Sequence, residues 1–434
     1  MGLIIGLLVL PSFARADDFT LSGYTEAGKR STAEDYEEED TDDDYTYRNY
    51  HLKFGQEITD RLSYDISSFI YDKDYKSKDS LDKELIEKAS VLKRELKLLE
   101  PELDNVQKEF NKLMQYIPNP PSIDVPKGKG ESENVELRVV GNKPNFKFKP
   151  KDHLELAEKL DILDFERGAK VAGNGFYYLK GDGLLLELAL VRYGIEFLSK
   201  KGFTPIFTPD LARSRYYLGT GFQPRGPEAQ IYTIDETDLG LIATAEVTLA
   251  GYHADETLSV AKLPLKYAGY SHCYRKEAGS YGQYSKGLYR VHQFTKVEMY
   301  IYCTVADSVI IHKELLQLEE EFWQSLQIPY RVLEMCTGDL GAQAVKKYDL
   351  EAWMPGRNGW GEITSTSNTT DFQARRLGIK YKESEKSYFV HTLNGTLVAT
   401  SRGMISILEN NQQEDGSVLI PKALQQYIGK EVIK

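Results

Sequence analysis

Two strand-like runs, Cys273 to Gly279 and Tyr289 to Tyr300, flank a polar loop rich in glycine (Gly279, Gly282, Gly287). No other feature constrains this chain as much. Successive side chains along a strand alternate between faces, so residues two apart share one. Arg275 and Glu277 then point the same way on the first run, and Phe294, Lys296 and Glu298 share a side of the second. A face carrying Arg, Glu, Phe and Glu is poorly suited to a core, where buried charge is costly. It suits a site for adenine triphosphate. A guanidinium grips a phosphate in bidentate fashion, and an aromatic ring stacks on a base.

The 434 residues are enough for two or three domains. The net charge of -12 is unevenly spread: residues 1–80 hold 9 Lys/Arg and 18 Asp/Glu, whereas 81–434 hold 45 and 48. The larger part is therefore neutral enough to keep a local basic surface for nucleic acid. Cys273, Cys303 and Cys336 form no CxxC pair, and so sparse a set fits a reducing compartment. No internal run reaches the ~18 apolar residues of a membrane helix. Neither GxxxxGK[ST] nor HExxH occurs. Gly219 and Gly221 are not followed by glycine at dinucleotide-binding spacing, so they read as a loop.

Residues 1–79 fit none of this. Leu3 to Leu10 is a short apolar run before a small-residue site at Ala14 and Ala16, with no basic stretch ahead of it. Alternating, Tyr-rich segments follow, separated by the acidic stretch Glu34 to Asp44. They resemble the first strands of an outer-membrane β-barrel, yet two or three strands cannot close one. Residues 1–79 are therefore expected to be a foreign segment. From Leu81 to Ile117 the pattern turns helical. Leu92, Leu96, Leu99, Leu103, Val106, Phe110, Leu113 and Ile117 form one coiled-coil seam. Pro101 should bend or restart the helix. Residues 119–150 read as a linker, and 151–434 as a catalytic domain in which Leu184 to Val191 forms a buried helix.

Five segments in order resemble the class II aminoacyl-tRNA synthetases, specifically the seryl-tRNA synthetase family. Lys201 to Pro209 resembles motif 1. Thr244, Ala245 and Glu246 resemble the serine-reading tripeptide. Cys273 to Glu298 resembles motif 2, Glu362 to Arg376 the ATP and metal strand, and His391 to Gln412 motif 3. The likeness covers about residues 80–434. It implies an α+β fold, an antiparallel sheet flanked by helices, with 80–118 as the remnant helix of a tRNA-binding coiled-coil arm. One helix of that arm has no counterpart before Leu81.

The resemblance implies ATP-dependent activation of L-serine, transfer to serine tRNA, selenocysteine tRNA as a further acceptor, and a cytoplasmic homodimer with no membrane partner for 80–434. The alternatives are a paralogue that loads a non-tRNA carrier, and a chimera that charges tRNA poorly. By resemblance, Arg275 meets the α-phosphate and the serine carboxylate, Glu277 the adenine amino group, and Phe294 the adenine face, with Val291 near the nucleotide. Arg402 faces the terminal phosphates; Arg275, Glu277 and Arg402 form the catalytic set. Glu362 binds Mg²⁺, with Ser365 nearby. Thr244, Glu246, Glu298, Asn394 and Thr396 join Arg275 in reading serine. Tyr281 to Lys286 replace a run that is often more charged, which leaves acceptor-stem contacts less defined than ATP contacts.

Overall fold

The computed structural model describes residues 83–114, 117–222, 231–277 and 285–434. The signal-like start and barrel-like strands expected in 1–79 lie outside the described residues, as do Tyr281, Gln283 and Tyr284. The chain divides into two compact units, Met1–Glu102 and Leu103–Lys434.

Helix α1, Lys83–Met114, runs through Pro101 without interruption. The helix does not restart at Pro101. A proline removes one donor and crowds the carbonyl four residues back, but the turns on either side persist. The seam residues Leu92, Leu96, Leu99, Leu103 and Val106 are all exposed. At its end, Arg376 donates to the Met114 carbonyl (2.9 Å), which also accepts the Ile117 N–H at 3.4 Å, and to the Ile117 carbonyl just beyond the helix (3.3 Å).

The second unit is built on an eight-stranded sheet. Its strands are β1 Val135–Val140, β2 Thr204–Phe207, β3 Leu265–Tyr274, β4 Gln293–Cys303, β5 Tyr330–Glu334, β6 Lys346–Met354, β7 Gly359–Asn368 and β8 His391–Ala399, in the spatial order β1-β5-β6-β7-β8-β4-β3-β2. All pairs are antiparallel except β2 with β3. The stretch expected as a linker supplies β1, and its Val125 packs with Leu333, Met335 and Leu340. Residues 119–150 are thus partly an edge of the sheet: the alternating run from Val135 has a neighbour to pair with.

One face of the sheet is the core. On β4, Val297, Met299, Ile301 and Cys303 alternate into it. Helices α3 (Asp182–Lys200), α5 (Ser308–Ser325) and α7 (Thr400–Asn410) cover that face through Leu186, Leu190, Leu198, Phe322, Trp323, Met404 and Leu408. Helix α3 is not buried all round, as the sequence implied. Leu184, Leu185 and Leu188 are 45%, 41% and 51% exposed, and Phe207 on the edge strand β2 is 67% exposed. The opposite face is apolar only at one end, where Tyr267, Tyr300 and Tyr302 pack under helices α4 (Ala245–Gly251) and α6 (Phe372–Leu377). Gly219 closes a short helix, Ser214–Thr220, rather than lying in a loop; Gly221 caps it at φ 91°.

Candidate active site

The remainder of that second face is polar, and β4 shows why. Lys296 and Glu298 fall on the strand positions opposite the core set, paired with Ser271 and Gly269 of β3. Arg275 lies just past β3, but its N–H still donates to the His292 carbonyl at 3.0 Å, so the ladder carries it onto the same face. Glu277 is different. It sits beyond the strand at φ 49°, so alternation does not place it as the sequence implied. An ion pair with Arg290 at 3.0 Å fixes it instead.

Two β-bulges aim the next residues. On β7, Glu362 pairs with Glu351 and Thr364 with Leu350, which leaves Ile363 as the extra residue. Cross-strand partners share a face, so Glu362 and Ser365 (paired with Asp349) both look toward the polar side, although three residues apart they would oppose each other in a regular strand. On β8, Thr396 pairs with Glu298 and Val398 with Val297, with Leu397 extra. Thr396 therefore joins Asn394 on the polar face while Val398 enters the core.

These elements enclose one cavity. Arg275, Glu277, Arg290, Val291, Phe294, Lys296, Glu362, Thr396 and Arg402 line it. The Arg275 guanidinium stands 5.3 Å from the Phe294 ring centre, and its Nε donates to the Ala243 carbonyl at 3.4 Å. Arg402, near the start of α7, donates from Nη1 to the Glu362 carbonyl and carboxylate, both at 3.1 Å. Burial opposes ionisation of Glu362, but the Arg402 guanidinium, with Lys347, outweighs it and holds the carboxyl at about 2. The side chain is still 42% exposed, so water weakens that pull. Glu362, expected as a free metal ligand, is paired in this state. Ser365 is not among the residues lining the cavity; it pairs across the strands with Asp349. Glu362 and Asp349 offer hard oxygen donors on one face, but among the described residues no group of three or more His, Cys, Asp or Glu side chains is placed to hold a metal ion.

Beside the cavity lies a second, drier group. Glu246 and Glu298 are 2% and 1% exposed. Thr396 donates to Glu298 at 3.1 Å, and Lys296 forms an ion pair with the same carboxylate. Gln373 donates to Glu246 at 2.7 Å. The Gln373 amide cannot flip, because the Tyr300 and Thr392 hydroxyls both donate to its oxygen, at 2.6 and 3.0 Å. Burial, then the nearby Glu298 carboxylate, pushes Glu246 up to about 7; Gln373, Lys296 and Asn394 oppose the rise. Asn394 keeps a buried carbonyl oxygen without a partner in the described structure. Thr244, like Glu246, Glu298 and Asn394, is not among the residues lining the cavity itself. It caps α4, its hydroxyl accepting from the Glu246 N–H at 3.2 Å, and so orients Glu246.

Arg275, Glu277, Val291, Phe294, Glu362, Thr396 and Arg402, which the sequence reading grouped, all line the cavity. That reading gave no site role to Lys296, Arg290 or Gln373. Alternation along β4 already carried the signal for Lys296. Nothing local marks Gln373, which reaches Glu246 across 127 positions of chain.

Comparison with known proteins agrees with this geometry. Residues 231–411 match the tRNA synthetase class II core domain (G, H, P, S and T). The serine–tRNA ligase of Dictyoglomus turgidum is 56% identical over 351 residues, which cover 81% of this chain and 83% of that protein. Among solved structures, seryl-tRNA synthetase from Pyrococcus horikoshii complexed with ATP superposes with TM-score 0.78 at 40% identity, covering 89% of this chain and 91% of that one. The cytoplasmic serine–tRNA ligase of Naegleria fowleri in complex with AMP gives 0.76 at 36%, with the same coverage.

Proposed function

This chain belongs to the serine–tRNA ligases of class II, and from that premise we propose how its site activates L-serine with ATP and hands it to serine tRNA. The observation that carries the reading is an adjacency: three guanidiniums (Arg275, Arg290 and Arg402) and the Phe294 ring line a cavity whose Lys296 and Thr396 contact the buried Glu298 carboxylate. The cavity suits a nucleoside triphosphate and the buried carboxylates beside it a small zwitterion.

Arg275 grips the α-phosphate, and the serine carboxylate approaches it in line. Phe294 stacks on adenine and Glu277 accepts from its amino group. Arg402 leaves Glu362 to meet the terminal phosphates. Glu362 and Ser365 would then hold Mg²⁺, which when bound neutralises phosphate charge. Positioning and charge neutralisation are what phosphoryl chemistry of this kind requires. Glu246 accepts from the serine ammonium; Glu298 and Thr396, with Asn394 at the rim, read the hydroxyl. A site built to bond a hydroxyl rejects an analogue lacking it, because its polar groups are left unpaired. Arg275 also steadies the carboxylate until the terminal ribose of tRNA displaces AMP.

Two copies pair through α3 and β2: Phe207 lies in the segment resembling motif 1, Lys201 to Pro209, and Leu184, Leu185 and Leu188 on the helix that precedes it, all exposed apolar side chains. The compartment is the cytoplasm, where tRNA and ATP meet and where the three buried cysteines stay as free thiols. No described helix is long and apolar enough to cross a membrane.

Serine-dependent ATP–pyrophosphate exchange, followed by tRNA charging on the same sample, tests the reading. Serine should drive exchange, and alanine and threonine should not. Equal exchange with alanine would remove the serine assignment.

A further inference from the structure

We propose that His153 and Glu409, a buried pair outside the reaction cavity, are positioning residues that set Arg402 through the backbone turn at 287–289. The proposal rests on the reading above that Arg402 meets ATP phosphates.

His153 opens helix α2, His153–Lys159, and is fully buried; Glu409 sits near the end of α7, 1% exposed. Glu409 Oε1 lies 2.8 Å from His153 Nδ1 and accepts the His153 backbone N–H at 3.0 Å. Its Oε2 accepts the Gly356 N–H at 2.8 Å. On the far side of the ring, the Leu288 N–H donates to Nε2 at 3.3 Å. Nε2 must therefore be the acceptor, so the proton sits on Nδ1 and points at the carboxylate. The turn rests directly on this ring: a Cβ on Gly287 would come within 2.2 Å of Nε2, at φ +58°.

Tyr289 is the next residue but one. Its carbonyl accepts from Arg402 Nε at 3.3 Å, and its ring centre stands 4.6 Å from the guanidinium. Arg402 and Glu409 are two turns apart on the same helix. The turn is thus tied to α7 at two points, by Arg402 through Tyr289 and by Glu409 through His153 and Leu288. A buried carboxylate is a poor means of adding stability, because apolar residues of equal volume do as well or better. It is a good means of fixing one backbone geometry, because every N–H around it has a single acceptor.

The test is a double-mutant cycle on kcat/KM for ATP in pyrophosphate exchange, with serine kinetics and melting temperature measured on the same samples. Glu409→Gln is nearly isosteric but removes an acceptor; Gly287→Ala displaces the turn from the His153 ring. Each should lower kcat/KM for ATP by ~10- to 100-fold, largely through KM, while KM for serine stays within about twofold. In an Arg402→Ala background the same changes should cost less than about threefold, since the residue they position is gone. Equal cost in both backgrounds, equal loss for serine and ATP, or failure of both variants to fold would overturn the positioning role. If Arg402→Ala alone leaves the ATP parameters unchanged, the placement of Arg402 at the phosphates fails first, and that result is read separately.

Discussion

Arg275, Phe294 and Glu298 were legible because a strand has a fixed period, and the ladder extends that period to Arg275 through one hydrogen bond to His292. Glu277 reached the same cavity by another route, a left-handed backbone and an ion pair that no alternation encodes. The difference bears on how each residue responds to change. Arg275→Ala should cut exchange by ~10²- to 10³-fold, the loss typical of removing one charge-stabilising donor, with an unaltered melting temperature. Near-normal exchange in a folded variant would remove Arg275 from the chemistry. Glu246 yields a pH prediction. Its ordinary value is 4.5 and its folded value about 7, raised by burial and by Glu298. Between these the folded state holds a proton that the unfolded state has lost. This group therefore favours folding most below about 4.5, and its contribution declines as pH rises through 7. Binding runs the other way, because the serine ammonium needs the carboxylate. kcat/KM for serine should therefore fall as pH drops from 8 to 6, and Glu246→Gln should flatten that slope. A profile that Glu246→Gln leaves unaltered would show that another group titrates.

At the scale of elements, the sequence disclosed the strands but not their irregularities. Glu362 and Ser365 stand three apart, and only the extra residue Ile363 turns both to one face. Likewise Leu397 lets Thr396 and Val398 face opposite sides while keeping their neighbours in register. A bulge has no composition of its own here, so periodicity alone could not place it. Helix α3 misled for a related reason. A run as apolar as Leu184 to Val191, broken only by Glu187, reads as buried, but burial can be supplied by a second copy of the chain. Leu188→Asp, on the exposed stripe, should give a monomer by sedimentation at micromolar concentration and should lower exchange by at least about tenfold. A dimer that persists with full activity would move the interface elsewhere.

At the scale of the molecule, the activation chemistry and the tRNA-binding reading belong to separable parts of the chain. Every residue that lines the cavity lies between Arg275 and Arg402. Helix α1 contributes none of them, and its seam of Leu92, Leu96, Leu99, Leu103 and Val106 stands exposed. Its end is held to the catalytic body by Arg376 through the Met114 and Ile117 carbonyls. Asn119 continues the attachment through the Gln343 and Thr369 carbonyls, at 3.0 and 2.9 Å. A truncation must therefore stop before Met114 to leave the body intact. Removal of residues 1–110 should leave serine-dependent exchange within about twofold, since no cavity residue loses a partner. Charging of serine tRNA should fall by at least about tenfold and lose part of its salt dependence, because helix α1 would supply contacts to phosphate. Parallel loss of exchange and charging would mean that the helix supports the active site itself. Unchanged charging would mean that tRNA is gripped by the body alone, and that the apolar seam of α1 has another use.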